Sequence, residues 1–311
     1  MDNLHPRIEF YRQRSFSEKM NVVFEFIREN WKPLLKYSFY LIMPVCLIQT
    51  FAKNAFFGTY VNMLTKTSAS NSIFLSNSMV GFFGHYGVWM LCSLIGSAIL
   101  SGMIYAMMQT YAVRENKLQN ITIDDFNDLL VKNTWKYIRL TLALLFMLIL
   151  VSLLIGLLAS ITAWSLVITV PILLTVIMVL MLLVPVYIFE RDITFFEAIG
   201  KAWILGYETF WGMLGLMIVL YLISFVIQTI TSLPWNMMTI INTGLSVTST
   251  STMNQSAAFK FMQYIFGLLH SYGTYVSVII GVIGLAFQYF HAREKIEGVT
   301  IESNISNFDN M

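Results

Sequence analysis

Residues 140–189, LTLALLFMLILVSLLIGLLASITAWSLVITVPILLTVIMVLMLLVPVYIF, run for about fifty positions without a single Asp, Glu, Lys, Arg or His. The hydrocarbon core of a bilayer takes about 20 residues of helix, so a run of this length must cross twice and fold back once. Ser160, Thr162 and Ser165 cluster around Trp164 and supply the turn. The stretch therefore reads as a hairpin of two spanning helices, Leu140–Ala163 and Leu166–Phe189. That reading sets the fold class, because such a hairpin has no place in a water-soluble globule.

Four further apolar runs flank the hairpin: Leu34–Ala52, Tyr86–Ala112, Trp211–Leu233 and Met262–Phe290. The expectation is an all-α integral membrane protein with six transmembrane helices. It divides into an arm (1–33), a membrane domain (34–290) and a tail (291–311). Composition agrees: 57% of the 311 residues are hydrophobic and 12% charged, against about 45–50% and about 25% in soluble domains. The net charge of +2 and the lack of basic runs give no reason to expect nucleic acid. Cys46 and Cys92 both fall inside apolar runs, which excludes a disulfide framework. The arm holds no apolar core ahead of a small-residue cleavage site, so no signal peptide is expected to be removed.

Lys and Arg fix the expected orientation, since they accumulate in cytoplasmic loops. Sixteen lie in the arm through Lys36, the loops Arg114–Arg139 and Glu190–Phe210, and the tail; three (Lys53, Lys66 and Lys260) lie on the other side. Both termini are thus expected in the cytoplasm of a bacterium, the protein sitting in the cell inner membrane. All seventeen Asp and Glu fall on the same, inner side. The outer loops instead carry Ser/Thr/Asn tracts, Thr65–Ser78 and Asn242–Ser256, which read as loops.

Three inner segments show helical periodicity. In the first, Phe16, Met20, Val23, Phe24, Ile27 and Trp31 share a stripe about 100° wide. Ser15 and Glu18 begin it with a capping box, and Pro33 separates it from the first span. The second, from Ile193 to Trp211, groups Phe196, Trp203, Tyr207 and Trp211. The third, Thr122–Ile138, is started by Thr122 and Asp125, and Trp135 falls off its apolar face. These are expected to be amphipathic cytoplasmic helices lying at the interface. Their apolar faces would dock membrane lipids or another membrane or cytoplasmic protein.

The stretch from Phe189 through Glu190, Asp192, Glu197, Ala198, Ile199, Gly200 and Leu205 to Phe210 and Trp211 resembles a signature of multi-pass bacterial proteins. That family includes the membrane domain attached to some glycerophosphodiester phosphodiesterases. Arg14–Leu34 and Gln288–Gly298 resemble small membrane proteins of Bacteroidota-type bacteria. The resemblance implies the architecture and no activity, because the soluble domain with its metal site has no counterpart in this chain.

Chemistry at membrane depth needs ionisable groups among the spans, and the six apolar runs bounded above contain no Asp, Glu or Arg and a single Lys, Lys36, at the inner end of the first. Only His85 and His270 could meet inside the bundle, and two histidines fall short of the three protein ligands usual for catalytic zinc. No nucleophile turn, zinc helix or phosphate loop is present. No enzyme activity, cofactor or metal is expected. His85 and His270, with Pro171 and Pro185 in the fourth span, are the candidates for an outer cavity or gate. Gln49, Gln109, Gln228 and Gln288 are expected to bond between helices. Ala98, Gly102 and Ala106, and likewise Ser277, Gly281 and Gly284, form small-residue ridges for close packing. Taken together, these features point to a non-enzymatic membrane module acting at its cytoplasmic face; the alternative is a passive small-molecule or lipid permease.

Overall fold

The computed structural model describes residues 7–65, 72–162, 164–190, 192–247 and 256–300. Every regular element among them is helical: α1 (Phe16–Thr65), α2 (Ser72–Val113), α3 (Asn127–Ile161), α4 (Ser165–Val179), a 3-10 turn (Leu180–Leu182), α5 (Leu183–Phe189), α6 (Phe195–Glu208), α7 (Phe210–Val247) and α8 (Ala257–Glu297). Six stretches are long and apolar enough to cross a bilayer, α4 and α5 together making one of them. The chain is an all-α, multi-pass membrane protein.

The helices are longer than the apolar runs from which they were inferred. The first does not end at Ala52 but continues to Thr65, and the second begins at Ser72 within the tract expected to be a loop. Hydropathy marks only the lipid-facing part of a helix; the backbone ladder continues wherever neighbours cover it. α7 likewise continues to Val247, six residues into the Asn242–Ser256 tract; residues 66–71 and 248–255, and Arg191, lie outside the described residues. The interfacial segment Phe16–Trp31 joins the first span through a kink at Asn30 (φ −118°, ψ 18°), three residues before Pro33. The Asn30 side chain donates back to the Phe26 carbonyl at 2.9 Å, which satisfies an acceptor near the break. The third expected interfacial helix is absent as a separate element. Thr122 and Asp125 close a turn, and α3 then runs unbroken from Asn127 through its span.

Two compact units emerge. The first comprises residues 1–34, 101–221 and 280–311, and the second 35–100 and 222–279. All seventeen carboxylates of the sequence belong to the first unit, whereas the second has four lysines and no acid. Ion pairing by its own side chains is therefore impossible in the second unit. It is held by neutral hydrogen bonds and close contacts. Tyr275 donates to Gln49 Oε1 at 2.8 Å, Gln49 to Ser93 at 2.9 Å, Thr50 to Ser271 at 3.0 Å and Trp235 Nε1 to Asn54 at 2.8 Å. Gly96 admits the Tyr275 ring, since a Cβ there would lie 2.2 Å from its hydroxyl oxygen. Each such bond between membrane helices contributes about 0.6–2 kcal/mol.

In the first unit Gln109 accepts from Asn133, and Gln288 bridges Lys19 and Thr209. With Gln49 above and Gln228, which donates to Thr274 at 3.5 Å, all four glutamines bond to another helix. The small-residue ridges serve packing within the chain. Gly102 faces Thr134 and Gly284 faces Leu220, each leaving no room for a methyl group, while Gly281 has nothing within 4 Å. α6 packs through Ala198, Ala202 and Gly206, one turn apart. A Cβ on Gly206 would stand 2.2 Å from the Val179 carbonyl oxygen. On α3, by contrast, no residue of the most apolar stretch is buried by protein, leaving that surface to acyl chains.

Gly206→Ala sets a side chain against backbone and should cost about 1–3 kcal/mol of stability, the usual penalty of overpacking. Gly281→Ala should be neutral or slightly stabilising, as Ala is the better helix former by about 1 kcal/mol. Thermal unfolding of the two variants in detergent separates them.

Candidate functional site

The first unit contains a cavity of about 790 Å³. Its walls are built by the arm (Phe10, Tyr11), the end of α2 (Gln109, Ala112, Val113), the start of α3 (Leu129, Lys132, Asn133, Lys136), the end of α5 (Ile188, Phe189) and Phe290 of α8. Glu190 and Asp192 of the α5–α6 connection complete the lining. One part is aromatic: Phe10 stacks on Phe290 at 5.0 Å and on Tyr111 at 5.7 Å, and Phe189 lies 4.8 Å from Phe290. Lys132 and Lys136 add two ammoniums to the lining, and Glu190 and Asp192 two carboxylates. Beside it a second hollow, of about 450 Å³, is framed by Lys132, Trp135, Lys136 and Arg139.

Those four residues stand at i, i+3, i+4 and i+7, on one side of α3. Lys136 spends its ammonium on the free carbonyls that close α5, donating to Tyr187 at 2.9 Å, Glu190 at 3.1 Å and Ile188 at 3.4 Å. A cation at a helix C-terminus is favourable, and Lys136 thereby pins the floor of the cavity. Lys132 and Arg139 are exposed, and Trp135 is 57% exposed between them. Trp135, off the apolar stripe of the third segment, is thus placed in a basic hollow.

The arm is laced to the same region. Arg7 donates to the Ala112 and Arg114 carbonyls, the Ile8 amide to Tyr111 Oη at 3.3 Å, and the Arg14 amide to His291 Nδ1 at 3.0 Å. Burial lowers the proton affinity of the Arg14 guanidinium and raises that of the Tyr11 hydroxyl, the latter against the opposing pull of Arg293. Behind the cavity Lys201 joins Glu190 (2.7 Å) to Glu297 (2.9 Å), and Arg293 joins Glu297 (2.6 Å). This chain of charges ties the end of α5 to α6 and α8. These side chains are only partly exposed, and their pairing orients the three elements against one another.

The residues expected to dock outward divide. On α6 the small face is buried, and Phe196 (81% exposed), Trp203, Tyr207 and, on α7, Trp211 (80%) point away from the protein. On α1 Phe16 and Trp31 are exposed and Met20 and Ile27 half-buried. Val23 is a correction: it is wholly buried, because the core stripe of this segment is Lys19, Val22, Val23, Phe26 and Asn30, rotated from the one expected. Hydrophobicity concealed that rotation, since a buried Lys and Asn mark the inner face.

Of the outer candidates, Pro171 and Pro185 belong to the first unit and His85 and His270 to the second. Pro171 is exposed within α4 and Pro185 is buried at the start of α5; the helix is broken between them, at Leu180–Leu182. His85 lies 3.5 Å from Thr59, whereas His270 Nδ1 lies 2.9 Å from Lys53 Nζ. Lys53, expected in an outer loop, is instead inside α1 and 3% exposed. The expectation of spans free of charge fails at this residue.

No family model matches the chain, and neither does any curated protein or solved structure.

The start of α6 titrates. Glu197 accepts from the Thr194 amide at 2.9 Å, its own amide donates to Thr194 Oγ1, and these bonds hold its carboxyl below the usual range. A depressed carboxylate stabilises the fold above its unfolded value of about 4.3 and stops doing so as pH falls through the lower folded value. Protection of the Glu197 amide, taken relative to its intrinsic exchange rate, should therefore fall on acidification below about pH 4.3; in Glu197→Ala the amide at this position should be weakly protected at every pH.

Proposed function

We propose that this protein is a non-enzymatic membrane module that holds a phospholipid at its charged face. The observation that carries the reading is the cavity whose lining combines the rings of Phe10, Phe189 and Phe290 with the ammonium of Lys132. Its volume lies within the span of about 300–1,000 Å³ typical of sites for small molecules. An amphiphile with a phosphate headgroup suits such walls: apolar carbons against Phe10, Phe189 and Phe290, phosphate toward Lys132, with Arg139 and Trp135 beside the mouth. Lys and Arg near a membrane surface each attract anionic headgroups by about 1 kcal/mol.

The charged face is assigned to the cytoplasm of a bacterial inner membrane by the sixteen-to-three distribution of Lys and Arg. α6 then lies as an amphipathic helix in the interface, its small residues against the bundle and Phe196, Trp203 and Tyr207 among the headgroups. The mixed charge of the arm and of α6 leaves the α3 cations as the headgroup-selective element. No catalytic role is assigned to any residue. The reading rests on this geometry rather than on the resemblance of Phe189–Trp211 to the bacterial family, which remains part of the proposal.

Two substitutions test it without touching the structural Lys136. Ala112→Trp narrows the cavity at an exposed lining residue, and Lys132→Gln removes the free ammonium. Phospholipid retained per mole of purified full-length protein should fall at least tenfold in affinity for the double variant, about 1.4 kcal/mol. Equal retention by both proteins, each monodisperse and helical, would refute the proposal.

A further inference from the structure

The second unit buries a cation for which it owns no anion. Lys53 is 3% exposed, its ammonium stands 3.9 Å above the Trp235 ring, and His270 Nδ1 is 2.9 Å away. Residues 35–100 and 222–279 contain no Asp or Glu at all. The groups that act on the pair among the described residues are the Cys46 thiol on α1 and the Trp235 indole on α7. Trp235 is itself fixed, its Nε1–H donating to Asn54 while its ring lies 5.2 Å from the His270 ring. Ionisable groups inside a membrane bundle are costly and are kept for a purpose.

A hydrogen bond between two nitrogens needs one proton between them. If Lys53 is an ammonium, His270 Nδ1 must offer its lone pair, and the imidazole is the neutral tautomer with its proton on Nε2. A second proton, added to Nδ1, would set N–H against N–H at 2.9 Å with no carboxylate in the unit to compensate. The bond cannot survive that addition.

We propose that Lys53 and His270 form a proton-binding site whose hydrogen bond between α1 and α8 is made in one protonation state and lost in the other. The ligand is the proton alone, taken up at His270 Nδ1 and given back on return to higher pH. His85, whose contact is the Thr59 hydroxyl, takes no part. The site is separate from the lipid cavity and stands or falls independently of it.

The test is nitrogen NMR of full-length protein labelled at its four histidines, in lipid nanodiscs, with His270→Gln assigning the resonance. At neutral pH His270 should show a hydrogen-bonded acceptor at Nδ1 and a proton at Nε2. Its titration midpoint should move by at least one pH unit, a tenfold change in proton affinity, in Lys53→Met, and the His85 signal should not move. A His270 midpoint unchanged in Lys53→Met would overturn the proposal. Should Lys53→Met fail to fold, the native spectrum decides: a proton on Nδ1 at neutral pH, or no hydrogen-bond signature there, overturns it equally.

Discussion

Water is missing from the interior of a bilayer, so every polar group placed there must find its partner in the protein. In this chain that constraint acts on an uneven supply. One unit owns all the carboxylates and the other none, and the two are consequently held by different chemistry. The acid-bearing unit uses chains of charge such as Glu190–Lys201–Glu297–Arg293. The acid-free unit uses amide and hydroxyl bonds such as Tyr275–Gln49–Ser93, set at short range by glycines that admit a neighbouring side chain.

The same division determines where function can reside. A cavity able to hold an amphiphile needs charge beside apolar surface, and Lys132 and Lys136 share one cavity with Phe10, Phe189 and Phe290. Lys136 shows how closely site and fold are joined, because its ammonium satisfies the carbonyls that end α5 and so shapes the cavity floor. Lys132, about two turns before the apolar part of α3, is exposed.

Much of the fold was legible because lipid reads hydrophobicity directly. The run Leu140–Phe189 had to be divided, and α3 ends at Ile161 and α4 begins at Ser165. The site was less legible, for particular reasons. Lys53 ends an apolar run, where a sequence reading places a loop, yet α1 continues because Trp235 and His270 cover it. The face of Val23 was misassigned because the inner stripe includes Lys19 and Asn30, whose partners, Gln288 and the Phe26 carbonyl, are invisible to periodicity. The basic hollow did leave a trace: Lys132, Lys136 and Arg139 recur at helical spacing, and Trp135, off the expected apolar face, belongs with them. The cavity itself joins five segments distant in sequence, which no local pattern encodes.

The central claim, that the charged unit holds a phospholipid, is tested most directly by electron cryomicroscopy of the full chain in nanodiscs of bacterial lipid. The account predicts elongated density along Phe189 and Phe290 that ends in a headgroup beside Lys132. A cavity closed by its own side chains, or density confined to the lipid-facing surface of α3, would contradict it.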